Sequence, residues 1–373
     1  MFLSVKNVVN NAKSKQIGIL GSIIIGYTHI AHPYYQDNSW YLDDFYKDHN
    51  DLPLLDLKNI DVIKKISDDA LFWINEFDLN GFLSISSNQS SKELYKYLNR
   101  LIRLNRGSNK LSIIQYPSTM NTNKVMLNKF DSSFNLNLYY NARSHFSGLN
   151  TNFINLNKAI KQNLYINNSI NKLLTITGLN QYSRIISIAD GDYSFESNSE
   201  KDIFIDSPSD AINPASYEKL FMFHLMNNSL SGIPLTYFGD EYGQAGLGNV
   251  DSMRKIKFQE ELSILQSNLK SKYSILNFLR AKYTSLSLGD FVVLRESDNF
   301  TVWMKSYYNE KIIVVMNLQD KEININIPLP FKTYKMESLL SKQVIKLNDY
   351  NMAKIVVPPY KSDIFLLETK LEN

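Results

Sequence analysis

Up to about residue 284 the chain alternates short apolar runs with amphipathic stretches, the pattern of βα units wound around a parallel sheet. Ile60, Ile63, Ile66, Ala70, Ile74 and Phe77 recur at three- and four-residue spacing, which predicts a helix with one apolar face behind the cap Asn59. Residues 79–85 predict a strand. Ser90 with Glu93 predicts a capping box, and Leu94, Tyr97, Leu98, Leu101 and Leu104 carry the helix behind it. Residues 111–115, 134–140, 202–206 and 233–238 predict further strands, with Pro214 opening a helix between the last two. Residues 259–283 predict a long amphipathic helix. From Gly289 the period changes: residues 291–295, 300–305 and 311–317 are rich in Val, Ile and aromatics and are separated by turn residues. That predicts an antiparallel β module of about 85 residues.

The 373 residues, 44% hydrophobic and 21% charged, suffice to bury sizeable cores and suggest about two domains. Lys and Arg total 40 against 37 Asp and Glu, a charge of +3, and the lysines are dispersed. A nucleic-acid coat would need a concentrated basic face. The absence of cysteine removes disulfides, thiolate chemistry and Cys-ligated zinc. Lys6, Lys13 and Lys15 precede the apolar run 17–25, which superficially has the layout of a signal sequence. The run is too short to span a bilayer, which takes about 20 residues. It predicts a buried strand covered on both faces.

Gly232-Ile-Pro-Leu-Thr-Tyr-Phe-Gly-Asp-Glu-Tyr-Gly243, with Asp251-Ser-Met-Arg254 behind it, resembles the eighth-strand segment and loop of the α-amylase superfamily of glycoside hydrolases. Weaker similarities follow in the same order. His32-Pro-Tyr-Tyr35 resembles the stretch after the third strand, Leu52-Pro-Leu-Leu-Asp56 through Trp73-Ile74 the helix before the fourth, and Gly81-Phe82 the start of the fourth. Phe130-Asp131 with residues 134–140 resembles the sixth strand, and residues 286–291 and 311–317 the beginning of a C-terminal sandwich. The resemblance implies an α/β fold: a (β/α)8-type barrel over 1–284, followed by an antiparallel β-sandwich domain over 285–373. Residues 3–25 resemble the helix after the second strand and then the third strand, so the barrel is expected to lack its first two strands.

Retaining glycoside hydrolysis needs two carboxyl groups about 5–5.5 Å apart, one attacking and one protonating the leaving group. A barrel places them at the C-terminal ends of its strands. The family's fourth strand reads Gly-Phe-Arg-x-Asp; here it is Gly81-Phe82-Leu83-Ser84-Ile85, with Ile85 in place of the nucleophile. The acid/base position falls on Gln115, an amide that holds no exchangeable proton at a useful pKa. The seventh-strand Asn-His-Asp signature falls on Ser207-Pro208-Ser209, so Ser209 stands for its carboxylate, with Asp206 and Asp210 close by. The third-strand signature lands on residues 22–27, Ser-Ile-Ile-Ile-Gly-Tyr. No intact catalytic set is expected, and losing either carboxylate removes orders of magnitude of rate.

Residues 34–46 are unusually aromatic. Tyr34, Tyr35, Trp40 and Tyr41 offer rings on which a pyranose can stack, so they and the hydroxyl-binding candidates Asp206 and Asp210 form the candidate carbohydrate site; the alternative is that the rings seal a loop. His29 and His32 lie near Asp37, but nothing completes a metal site. The reading is a catalytically inactive α-amylase-like protein with a carbohydrate-binding, regulatory or structural role. The expected partners are an oligosaccharide and a protein that completes the barrel; no cofactor, nucleic acid or membrane span is implied. Two alternatives are an active hydrolase or transglycosylase on α-glucans and an interaction module like the heavy-chain ectodomains of amino-acid transporters, which resemble this family.

Overall fold

The structure is a computed structural model that describes residues 2–46, 49–86, 92–106, 113–116, 132–166, 173–180, 182–191, 209–248, 251, 253–329, 332–347 and 351–369. The chain forms two compact units, 1–134 and 135–373.

The first unit opens with helix α1 (Phe2–Ser14) and strand β1 (Leu20–Ile25), followed by an antiparallel pair, β2 (Tyr41–Phe45) and β3 (Pro53–Leu55). Helix α2 (Ile60–Phe77) leads to β4 (Gly81–Ser86), and α3 (Lys92–Arg106) to β5 (Ile113–Tyr116) and β6 (Ser132–Phe134). β1, β4, β5 and β6 are parallel, with Ile24 opposite Ile85 and Ser84 opposite Gln115. Asn59 caps α2 as its spacing predicts, its Oδ1 accepting from the Asp61 amide at 2.9 Å. Asp78 ends the helix in the left-handed region at φ 53°. The predicted face buries Ile63, Ile66, Ala70, Ile74 and Phe77 and adds Val62; Ile60, in the first turn, is exposed. On α3 the buried stripe runs through Leu94, Tyr95, Leu98 and Ile102 and leaves Leu104 in solvent. Ser90 lies outside the described residues. The run 17–25 is a strand, but it is not covered on both faces: Ser22 is exposed and Ile24 is 53% exposed, because β1 stands at the edge of the sheet.

The second unit contains α4 (Leu136–Phe146), α5 (Phe153–Ile166), β7 (Leu173–Ile176), α6 (Ile185–Ala189), α7 (Pro214–Ser229) and β8 (Ile233–Leu235). The predicted strand at 134–140 is corrected: Asn135 caps a helix, its Oδ1 accepting from the Leu138 amide at 3.2 Å. Tyr139, Ala142 and Phe146 then bury at helical spacing, so the alternation of Phe134, Leu136, Leu138 and Tyr140 misled by period. Pro214 does open its helix, behind the cap Asn213. The strand parallel to β8 is β7, whose four residues are all buried, and β8 itself ends at Leu235. The predicted strand 202–206 lies outside the described residues.

Helices α8 (Ile264–Lys282), behind a Ser263 capping box, and α9 (Thr284–Leu288) lead into the β module. Its strands are β9 (Asp290–Glu296), β10 (Phe300–Tyr307), β11 (Glu310–Asn317), β12 (Ile323–Pro328), β13 (Thr333–Ser338), β14 (Val344–Ile345), β15 (Met352–Val357) and β16 (Ser362–Thr369). Six form one antiparallel sheet in the order β14-β13-β16-β11-β10-β9, and β12 pairs with β15. Val302, Met304, Ile313 and Val315 from the sheet share one core with Ile325, Ile327, Ile355 and Val357 from the pair. No described helix is long and apolar enough to cross a membrane.

Candidate functional site

In the second unit, β7 and β8 end beside each other, and their C-terminal ends carry a buried polar cluster. β7 runs into Thr177 and Gly178; β8 runs into Tyr237, Phe238, Gly239 and Asp240. Thr177 Oγ1 donates to Asp240 Oδ2 at 2.6 Å and accepts from the Tyr237 amide at 3.0 Å. Arg184 Nη1 donates to Asp240 Oδ1 at 2.9 Å and to the Phe238 carbonyl at 2.7 Å. Its guanidinium lies over the Tyr237 ring at 4.3 Å and the Phe238 ring at 4.8 Å. Both side chains are almost without solvent, at 1% and 5% exposure, so the charges are held by each other and by fixed hydrogen bonds. His224 Nε2 donates to the Asp240 carbonyl at 2.9 Å, and burial lowers its pKa against the opposing pull of Asp240. A Cβ at Gly178 would come within 2.8 Å of Asp240 Oδ2, so only glycine lets the end of β7 pass so close to the carboxylate. Glu241, next along, has its carboxyl pushed above the usual range, chiefly by burial. On a neighbouring turn, Tyr140 and Tyr182 share a hydrogen bond of 2.8 Å, and Arg143 lies 5.4 Å from the Tyr182 ring.

The residues that the sequence singles out fall in both units. Ile85 is the penultimate residue of β4 and Gln115 the penultimate residue of β5. Ser209 is exposed in the stretch before α7, and Asp206 lies outside the described residues. Asp210 is paired with Lys257; the backbone amides of Ile212 and Asn213 are held instead by Asp190. Asp251 and Arg254 form a two-point ion pair at 2.7 and 2.8 Å, and Asp251 also accepts from the Leu247 amide, so this pair fastens the loop after β8.

In the first unit, the aromatic segment folds onto α2. Tyr34 donates to Asp69, which also holds Lys65, and burial followed by that hydrogen bond pushes the Tyr34 hydroxyl well above its ordinary range. Trp40 meets the Tyr34 ring edge-on at 5.3 Å and packs on the core beneath. Tyr35 packs on Tyr41, whose hydroxyl shares a 2.7 Å hydrogen bond with Thr28. Tyr34 and Trp40, with His32, Gln36, Asp37 and Lys65, line a cavity of about 520 Å³. His29 and His32 use their Nδ1 atoms to accept from the amides of Ala31 and Tyr34, a turn role. Among the described residues no group of three or more His, Asp or Glu is placed to hold a metal.

Thr177 and Arg184 were not legible as site residues. A four-residue apolar strand behind an Asn-rich stretch gives little periodic signal, and an arginine in a loop reads as solvated until the fold buries it against Asp240.

No protein-family model matches the chain. A cyclomaltodextrinase of Geobacillus thermopakistaniensis (strain MAS1) is 26% identical over 155 residues, 40% of this chain and 25% of that protein. A cyclomaltodextrinase of Thermoanaerobacter pseudethanolicus is 22% identical over 281 residues, 73% of this chain and 43% of that protein. The chain thus spans less than half the length of these curated relatives. Among solved structures, an Anoxybacillus α-amylase superposes with a TM-score of 0.83 at 19% identity, covering 99% of this chain and 80% of that one. An α-amylase from Geobacillus thermoleovorans, complexed with acarbose, gives 0.84 at 16% identity, covering 100% and 82%. The chain thus shares the fold of these α-amylases and is similar in sequence to the two cyclomaltodextrinases.

Proposed function

We propose that this chain is a member of the α-amylase superfamily that binds α-glucan chains and does not cleave them by the family's two-carboxylate route. The observation that carries the reading is what stands at the ends of the parallel strands. β4 ends in Ile85-Ser86, β5 in Gln115-Tyr116, and β7 runs into Thr177-Gly178. None of these side chains can attack an anomeric carbon as a carboxylate or hand a proton to a leaving oxygen near neutral pH. The carboxylate that does reach the end of β7, Asp240, has both oxygens engaged, by Thr177 and Arg184. Residues 1–284 form the barrel-like part in this reading and 285–373 the appended sandwich.

Binding is assigned to the cavity lined by Tyr34 and Trp40, aromatic residues of the kind that pack against pyranose C–H groups, with the polar side chains of Gln36 and Asp37 beside them. The acarbose complex of a solved neighbour and the names of the curated relatives support an α-glucan as ligand. The same names favour a second reading, hydrolysis or transglycosylation, for which the raised carboxyl of Glu241 would be the acid.

The test incubates the purified protein with maltooligosaccharides and cyclodextrins, resolves products by anion-exchange chromatography, and follows tryptophan fluorescence in parallel. No product, with a saturable fluorescence change that Trp40→Ala abolishes, is expected. Product formation lost in Glu241→Gln or Asp210→Asn sinks the non-cleaving reading; a silent titration sinks the binding reading.

A further inference from the structure

On the β10 face turned away from the sandwich core, Thr301, Trp303 and Lys305 follow one another at the two-residue period of a strand, and all three are without solvent. Lys305 Nζ donates to Ser231 Oγ at 3.1 Å, in the turn between α7 and β8. The Arg280 guanidinium of α8 holds the same turn: Nη1 donates to the carbonyls of Asn228 and Leu230 at 2.7 and 2.8 Å, and Nη2 to that of Gly232 at 2.6 Å. Two cations thus converge on residues 228–232, and neither is in an ion pair with a described carboxylate. Burial alone lowers the Arg280 pKa, to about 10, and at Lys305 the repulsion of Arg280 outweighs the attraction of Asp290. Beside them stand donors with nothing to accept from them: Trp303 Nε1 and Ser285 Oγ are buried and make no hydrogen bond. The carbonyls of Ser285 and Ser306 would lie 2.4 and 2.9 Å from a Cβ at Gly289, which sets α9 against β10 next to Lys305. The Lys305 ammonium itself keeps two N–H groups beyond the one given to Ser231.

We propose that these groups form an anion site, which takes a halide-sized monovalent anion that accepts from Lys305 and from the neighbouring Trp303 N–H and Ser285 O–H, with Arg280 adding its charge. A buried donor without an acceptor carries the full cost of leaving water, and a buried charge without a counter-ion carries more. Water meets the hydrogen bonds but brings no charge; an anion answers both deficits at once. Lys305, Trp303 and Ser285 are all solvent-free in a close-packed interior, which favours a monatomic ion over a phosphate or a sugar acid. The site is also separate from the carbohydrate reading. Ser231 precedes β8 whereas Asp240 follows it, so the cluster lies at the N-terminal end of that strand. Its occupant therefore holds α8, α9 and β10 together rather than meeting a substrate.

Urea unfolding of the full chain near pH 6, with sodium chloride replacing sodium gluconate at one ionic strength, tests this. The wild-type unfolding constant is expected to fall with chloride and then level off, by about 100-fold once chloride stands a hundredfold above its dissociation constant. That saturation needs no variant. Lys305→Met removes the ammonium at similar volume and is expected to unfold at the same urea concentration in both salts. Trp303→Phe keeps a ring and removes one donor, and is expected to need about tenfold more chloride for the same effect. Lys335→Met, on β13 and ion-paired with Glu337 and Glu368, keeps the wild-type response and so separates the site from general salt effects. A wild type indifferent to chloride, a response that grows without levelling off, or one that survives unchanged in Lys305→Met or in Trp303→Phe overturns the proposal.

Discussion

Replacing Lys305 with Met should stabilise the protein near pH 6 and do nothing of the kind near pH 10. Lys305 stands on β10, fully buried, on the face opposite Val302 and Met304, and its ammonium donates to Ser231 Oγ at 3.1 Å. Burial, and then the Arg280 guanidinium, push its pKa down to about 7 from the ordinary 10.5, while Asp290 pulls the other way. The folded value lies below the unfolded one, so between about pH 7 and pH 10.5 the unfolded chain holds a proton that the folded chain lacks. Stability therefore rises with pH across that window, and the whole penalty is present below it. At about 1.4 kcal/mol per tenfold in proton affinity, the penalty is on the order of 3–5 kcal/mol. Lys305→Met removes it but orphans the Ser231 hydroxyl at a cost of about 1–3 kcal/mol, leaving a net gain of roughly 1–3 kcal/mol near pH 6. Near pH 10 the native amine is neutral and the gain disappears. Urea unfolding followed by far-ultraviolet circular dichroism at three pH values reads the effect as a shift in midpoint at constant slope. A lower midpoint for Lys305→Met near pH 6, or a wild-type stability that is flat from about pH 7 to pH 10, would refute the reasoning.

Three further outcomes are expected. Arg184→Met leaves the Asp240 carboxylate buried without its cation and should cost about 3–5 kcal/mol by urea unfolding, whereas adding Asp240→Asn should recover part of that loss; additive losses would show that the pair is not coupled. Gly178→Ala drives a methyl toward Asp240 Oδ2 and should cost about 1–3 kcal/mol, checked by the same assay, with an unchanged midpoint counting against the close approach. His145, packed between Phe146 and Phe153, is held neutral by burial, its pKa lowered to about 3. The unfolded chain therefore takes up its proton first, stability falls as pH drops from about 6.5 toward 3, and His145→Gln should flatten that slope by about one proton.

The sequence by itself determined the local elements wherever a single period ran long enough. The i, i+3, i+4 spacing from Ile63 to Phe77, the caps Asn59 and Asn213, Pro214 at a helix start and the three strand segments after Gly289 all appear as their residues dictate, because caps and amphipathic faces are set within a few residues of chain. It also made legible which residue types stand near the ends of β4 and β5, Ile85 and Gln115. Short segments were a different matter. Residues 134–140 alternate like a strand and fold as a helix from Leu136, and β7, only four residues long, has no period to read. The tertiary structure alone decided what touches what. It turned Tyr34 onto Asp69, gave Asp210 to Lys257, and closed Thr177, Arg184 and Asp240 into one buried cluster although 63 positions separate the threonine from the aspartate. Among the described residues it set a strand beside only one edge of β1. A strand's own sequence fixes which groups it can offer, but whether a neighbour satisfies them depends on where distant parts of the chain come to rest.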